Sequence, residues 1–310
     1  HSHKTVQEKI QGKIAKTIVV HQNDTRAFPT VQKAIDSVPA NNNVWIRILV
    51  KAGTYNEKVT VEKNKTFIVL QGEGMTKSVI QWGEVAGSAT QNATFTLHAE
   101  NFVAADIGFK NTYNIGYPQR RVLQASAATL YADKASFYRC SFISVQDTLT
   151  DLHNRHYFKD CYIEGAVDFI WGQGQSVYQE CLINASRRGY IVAQGRESPN
   201  DSNGFVFLSC SIVGNASVYL GRAYRTYSRV IFKDTNMTNV IEPEGWLAWH
   251  AEGKEKLTTF VEVGCFGPGA NNPHRVKWMK QLSPTELKSL TDINIFINQD
   301  RWIEQQPNVQ

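Results

Sequence analysis

No stretch of the 310-residue chain approaches the ~18 consecutive apolar residues of a membrane-spanning helix. None of the five cysteines stands in a Cys-x-x-Cys pair, which leaves zinc and thioredoxin-type chemistry unsupported. There is no long run of Lys or Arg and no basic stripe interleaved with aromatics, so nucleic acid is not the expected partner. A Gly-x-Ser-x-Gly nucleophile elbow is missing. So is a phosphate-cradling glycine loop, because Gly172-Gln173-Gly174 and Gly267-Pro268-Gly269 read as turns. His153 and His156 lack a third ligand type at familiar spacing and read as a polar turn, and no metal or organic cofactor is expected.

What is present describes a folded chain. Hydrophobic residues make up 42% and charged residues 20%, which excludes a disordered chain, a collagen and a coiled coil. The 33 basic and 28 acidic residues give a net charge of +5, with a pI near 8.8. That balance fits either an ordinary solvated surface or a partner carrying negative charge. Seven Asn-x-Ser/Thr acceptors (Asn23, Asn64, Asn92, Asn184, Asn200, Asn215 and Asn236) favour the secretory route and mark expected surface positions. The start at His1-Ser2-His3, without methionine or a signal-type apolar stretch, reads as a processed or trimmed chain.

The surroundings of four cysteines repeat. Phe137-Tyr138-Arg139-Cys140, Phe158-Lys159-Asp160-Cys161, Tyr178-Gln179-Glu180-Cys181 and Phe207-Leu208-Ser209-Cys210 are related, with steps of 21, 20 and 29 residues. Phe95–Phe102 and Val230–Met237 look like further members. Strand-rich units at this period signal a β-solenoid, in which each coil buries its apolar face against its neighbours. The cysteines then form an interior ladder of small buried groups. A disulfide between adjacent coils, Cys140 to Cys161, is within geometric reach. Solenoid ends need covers. Val31, Ala34, Ile35 and Val38 have helical spacing ahead of Pro39, and Ser283-Pro284-Thr285-Glu286 reads as a helix N-terminus. The length alone suggests two domains, but no linker-like break divides the chain. The expectation is an N-terminal arm over 1–15 and one all-β domain over 16–310.

The same period picks out chemistry. Asp147 lies seven residues after Cys140, and Asp168 seven after Cys161. The two carboxylates should therefore be neighbours on adjacent coils, each set among apolar residues. Adjacent, partly desolvated carboxylates resist joint ionisation and give an acid beside a base or nucleophile. An Asx-turn ladder at the coil corners fits the pattern equally well. Arg222, beside an aromatic residue, could hold one aspartate through a fork-like contact or be an ordinary surface arginine. Gln124 and Gln146 are neutral amide donors of the type that stabilises an oxyanion, although each alone is polar surface.

Several segments in order resemble the plant-type pectin methylesterases: Gly53-Thr54-Tyr55-Asn56-Glu57, Gln124-Ala125-Ser126-Ala127, Gln146-Asp147-Thr148-Leu149, Asp168-Phe169-Ile170-Trp171-Gly172, Leu220-Gly221-Arg222, Gly245-Trp246-Leu247-Ala248-Trp249 and Gly267-Pro268-Gly269-Ala270. The resemblance runs from about Lys16 to Trp302. It implies a right-handed parallel β-helix with short capping helices. It also implies hydrolysis of galacturonate methyl esters, with Asp168 as nucleophile, Asp147 as general acid and then base, Gln146 and Gln124 as oxyanion donors, and Arg222 holding the nucleophile. Gln124 and Arg222 would also contact substrate. The implied setting is a secreted, glycosylated, monomeric cell-wall enzyme acting on methylesterified homogalacturonan, with a proteinaceous inhibitor as a further partner. Thr90 is the nearest candidate for a substrate-contacting threonine. Phe169, Trp171, Tyr224, Trp246 and Trp249 are candidates for an aromatic groove that stacks on sugar rings, with wall packing as the other reading of Trp246 and Trp249.

The chain departs from the family at Ser126, Ala128, Trp171, Ala223 and Tyr224. These positions are expected to line the groove and to alter subsite preference more than reaction type. Two rivals remain. One is another β-helix pectin enzyme, a lyase or glycosidase, for which the glutamine pair is superfluous. The other is a pectin-binding or signalling homologue with weakened activity.

Overall fold

The computed structural model describes residues 12–85 and 93–309. The chain winds as a parallel β-helix. Ten strands stack into one sheet, from Ile14–Val20 through Trp45–Val50, Ile68–Gln71 and so on to Arg229–Lys233 and Thr259–Val263. The second sheet has 14 strands and two limbs. The long strands Tyr162–Gly172 and Leu182–Gln194 run through both limbs and join them. Each coil therefore passes from the first sheet, around a corner, through one limb and into the other.

The corner explains the cysteine repeat. Asp106, Arg139, Asp160, Glu180, Ser209, Asp234 and Gly264 all have φ between 50° and 66°. A single left-handed residue turns the chain sharply. The residue after it is Ile107, Cys140, Cys161, Cys181, Cys210, Thr235 or Cys265, the first to point inward, and all seven are buried. The ladder thus extends beyond the four cysteines that reveal it in the sequence. All five thiols are free, so the Cys140–Cys161 disulfide is not formed. Burial pushes the Cys140 thiol up to about 12, and each Sγ instead points at a backbone carbonyl, as Cys161 does at Phe137 (3.4 Å). Inside, Phe137, Phe158, Tyr178, Phe207 and Phe232 stack coil on coil, with ring centroids 4.4–5.1 Å apart.

The helix Val31–Asp36 forms where its spacing places it, with Thr30 as N-cap, and buries Val31, Ala34 and Ile35 against the first coils. Pro284–Thr291 also starts as expected: Ser283 Oγ accepts from the Glu286 amide at 3.2 Å, and the Glu286 side chain reaches back to that hydroxyl. Its position differs from expectation. Rather than closing the far end, it packs beside Gly204–Leu208 on the outer face of the ten-stranded sheet. Trp278, its ring tilted against Phe260 of the last strand at 5.7 Å, lies against the end of the core instead. From Ile293 the tail returns along the outer face. Gln175 donates to the Phe296 carbonyl (2.6 Å), Arg155 grips Asp300 (2.7 and 3.1 Å), and Gln306 donates to the Lys134 carbonyl (3.0 Å). Trp302 is buried there.

One polar cluster sits inside the solenoid. Asp151, His156 and Tyr178 are fully buried. His156 Nδ1 lies 2.5 Å from Asp151 Oδ1, its Nε2 lies 2.7 Å from the Ala132 carbonyl, and the Tyr178 hydroxyl donates to Asp151 Oδ2 at 2.6 Å. His156 is therefore a core residue rather than part of a polar turn. His153 is exposed. Among the described residues no helix is long and apolar enough to cross a membrane.

Candidate active site

Three consecutive coils bring the polar candidates together at the bend between the two limbs. The Ala125 amide donates to the Gln146 carbonyl (3.2 Å), and the Asp147 amide donates to the Val167 carbonyl (3.0 Å). Gln146 is bridged to Val167, and Leu149 pairs with Ile170. Asp147 and Asp168 are thereby stacked at equivalent positions of adjacent coils, where parallel strands run about 4.8 Å apart. Both have left-handed backbones, φ 58° and 49°. Such a residue costs about 1–3 kcal/mol and is kept where the surrounding structure enforces it. Here it turns each carboxylate out of the wall.

Arg222 completes the pair from two coils further on. Its Nε and Nη2 donate to Asp168 Oδ1 and Oδ2 at 2.8 and 2.7 Å. The outward column on this limb reads Trp171, Ala193, Arg222. The methyl group of Ala193 leaves the gap through which the guanidinium reaches back. Tyr190 and Trp249 cover the guanidinium carbon, with ring centroids 3.9 and 3.7 Å away. Each contact contributes on the order of 1 kcal/mol and removes rotamer freedom.

The two carboxylates differ in environment. Asp168 is charge-compensated by a fork contact. Asp147 is 3% exposed, and its Oδ2 is buried without a hydrogen-bond partner among the described residues. Burial first, and the charge of Asp168 second, raise the Asp147 pKa well above the usual carboxylate range, against a smaller opposing pull from Arg222. An acid thus lies beside a compensated carboxylate. Gln124 is exposed and Gln146 half-buried, and no described protein group takes up either side-chain amide.

Gln124, Asp147, Asp168, Trp171, Ala193, Tyr224 and Trp249 line one cleft. Trp171 meets Tyr224 edge-on at 5.7 Å, and Tyr224 lies 5.8 Å from Trp249. Two aromatic candidates do not belong there. Phe169 is fully buried, because the left-handed Asp168 breaks the in–out alternation and sends the next side chain into the core. Trp246 is also fully buried, stacked on Phe260 at 4.4 Å with its Nε1 donating to Glu262. It shares the inward column of Val192 and Gly221. A Cβ on Gly221 would stand 3.0 Å from the Trp246 ring, so glycine gives that ring its space.

Three of the departures from the family pattern also lie in the wall rather than in the groove. Ala128 and Ala223 are core residues, and Ser126 is buried, donating to the Ala128 carbonyl (2.8 Å). Only Trp171 and Tyr224 reach the cleft. Thr90 lies outside the described residues. Sequence reasoning missed Tyr190 and Ala193. The uneven coil steps around them, 23 and 29 residues at Tyr190 and 22 and 29 at Ala193, hide their place in the stack.

The fold and site define a β-helical protein with a carboxylate pair in its cleft. The family model for pectinesterase matches residues 17–300, and the chain belongs to the pectinesterase family of carboxylic ester hydrolases. It is 46% identical over 303 residues to probable pectinesterase 55 of Arabidopsis thaliana, covering 94% of this chain and 91% of that protein. Among solved structures, the carrot pectin methylesterase superposes with a TM-score of 0.88 at 31% identity, covering 96% of this chain and 98% of its own. The Aspergillus niger pectin methylesterase gives 0.83 at 26% identity, covering 96% and 99%. The fold is the right-handed parallel β-helix of these enzymes.

Proposed function

We propose that the protein hydrolyses the methyl esters of galacturonate units in pectin by an aspartyl-esterase mechanism. The observation that carries this reading is the asymmetric dyad: Asp168 held by Arg222, and Asp147 buried beside it with its pKa raised. Asp168 attacks the ester carbonyl carbon. Negative charge moves to the carbonyl oxygen, where the Gln146 and Gln124 amides donate hydrogen bonds. The intermediate collapses as Asp147 gives its proton to the methoxy oxygen, and methanol leaves. Asp147, now a carboxylate, takes a proton from water as that water attacks the acyl-enzyme. The second collapse frees Asp168 as a carboxylate and leaves a galacturonic acid, which releases its proton to solvent. Trp171 and Tyr224 offer ring surface against which sugar rings pack, while Trp249 is held between Arg222 and His250.

The basic balance of the chain suits a polymer that gains negative charge as the reaction proceeds, and Asn23, Asn64, Asn200 and Asn215 are exposed acceptors for secretory glycans. Secretion to the cell wall is part of this proposal. Methanol release from methylesterified pectin by the purified protein tests it. Release without loss of viscosity supports the esterase over a chain-cleaving lyase or glycosidase. Binding of pectin without methanol release would instead support the weakened homologue.

A further inference from the structure

Tyr190 reaches Arg222 through an irregularity of its strand. Gly165 pairs with Ala185 and Val167 with Tyr190, so Ser186–Gly189 stand opposite the single residue Ala166. Unbroken pairing from Ala185 would set Arg187 opposite Val167. The bulge adds three residues (190 − 187 = 3) and sets an aromatic ring there instead. Bulges of this kind re-aim side chains and gather beside active sites. This one is built in. The Ser186 hydroxyl donates to the Gly165 carbonyl (3.3 Å), and a Cβ on Gly189 would stand 2.0 Å from the Ala166 carbonyl oxygen, so glycine is what lets the chain return to the sheet.

Arg222 is covered from the coil before by Tyr190 and from the coil after by Trp249, at 3.9 and 3.7 Å from the guanidinium carbon. Each cover has its own support. The Tyr190 ring stacks on Tyr219 at 5.6 Å, with 16° between the planes. The Trp249 ring lies 3.9 Å from the His250 ring, with 26° between the planes, so the indole is held between a cation and an imidazole. His250 Nδ1 stands 3.0 Å from the Tyr224 carbonyl, to which it can only donate, and this bond fixes the imidazole. An arginine side chain has many rotamers to lose on being fixed. Its fork suits any carboxylate, and the proposed reaction brings carboxylates of the polymer into the cleft. A guanidinium with rings on both faces cannot swing away to meet them.

We infer that Tyr190 and His250 are positioning residues for the nucleophile: Tyr190 directly, and His250 through Trp249, confine the Arg222 guanidinium so that its fork stays on Asp168 when carboxylates enter the cleft. This rests on the esterase reading, in which Asp168 attacks the ester. Neither residue needs to touch the substrate. Each acts through Arg222, and the ring rather than the hydroxyl of Tyr190 or the hydrogen bond of His250 carries the effect.

The test uses the full chain with Tyr190→Leu, Tyr190→Phe, His250→Ala and His250→Phe. The first measurement needs no turnover. It is solvent exchange of the Arg222 Nε–H, which donates to Asp168, read by NMR in arginine-labelled protein and assigned by its disappearance in Arg222→Lys. Exchange should be about tenfold faster in Tyr190→Leu and His250→Ala, and should return toward wild type in the two phenylalanine variants. Adding a de-esterified oligogalacturonate should speed it further in Tyr190→Leu and not in wild type. The second measurement is methanol release. In Tyr190→Leu kcat should fall about tenfold with KM changed less than about twofold, and Tyr190→Phe should recover most of the loss. A lowered Tm in Tyr190→Leu with exchange and kcat unchanged would reduce the ring to wall packing and overturn the inference. His250→Phe behaving like His250→Ala would overturn the stacking role. A wild-type protein that releases no methanol would sink the esterase reading, while the exchange comparison would still decide whether these rings confine Arg222.

Discussion

Arg222 and Asp168 are 54 residues apart in the chain and meet through two parallel hydrogen bonds of 2.8 and 2.7 Å, across the methyl group of the intervening Ala193. This contact fixes one carboxylate as the compensated partner, and the proposed mechanism makes Asp147 the proton carrier. Most of what can be tested about the site follows from it.

Asp168→Asn should abolish methanol release. The amide keeps the shape but cannot form the acyl-enzyme, and Arg222 loses its charged partner. The variant should remain folded by circular dichroism, with a lowered Tm. Residual activity above about a tenth of wild type would remove Asp168 from the nucleophile's role.

Gln146→Ala should lower kcat about 10²-fold with little change in KM, because an oxyanion donor acts mainly in the transition state. A change confined to KM would assign Gln146 to ground-state binding.

Asp147 ties activity and stability to pH. Its folded pKa is raised above the unfolded value. Its contribution to stability is therefore fully present below the unfolded pKa of about 3.9 and is lost as pH rises through the folded pKa. Methanol release, which needs the protonated acid, should decline over the same rise. Asp147→Asn should be inactive yet gain Tm relative to wild type at pH 7, with the gain shrinking toward pH 4. A difference in Tm that does not vary with pH would contradict the assignment.

Ala193→Leu should place a side chain in the path of Arg222. Overpacking costs about 1–3 kcal/mol, but the effect on activity should exceed that of a remote core change of equal cost. At least a tenfold fall in kcat is expected, because the fork to Asp168 opens. Activity like that of wild type would mean that Arg222 has another route to Asp168.

The coil stack was legible because the corner residue is local. Arg139, Asp160, Glu180 and Ser209 each turn the chain immediately before a cysteine, so the ladder appears in the sequence as a repeated pair. The carboxylate pair was legible for the same reason: its 21-residue offset equals the coil step from Cys140 to Cys161. Phe169 and Trp246 were misplaced because facing depends on backbone details. One follows a left-handed residue, and the other fills space left by Gly221 on a neighbouring coil. The cover of Arg222 by Tyr190 and Trp249 depends on a bulge and on unequal coils, which no fixed period reveals. The Asp151–His156–Tyr178 cluster shows no sequence sign at all, since its members come from three different strands.

The returning tail changes how the molecule should come apart. A stack in which each coil touches only its neighbours can fray from either end, one layer at a time. Here Asp300, Phe296 and Gln306 fasten separate layers to a single extended segment, from Gln175 down to Lys134 and Phe102. Opening an inner layer therefore requires the segment to detach from several others at once. The tail works as a lacing that couples layers which share no edge. Removing it after Ile293 should broaden one sharp melting transition into a graded one, even though every layer of the wall keeps its own sequence.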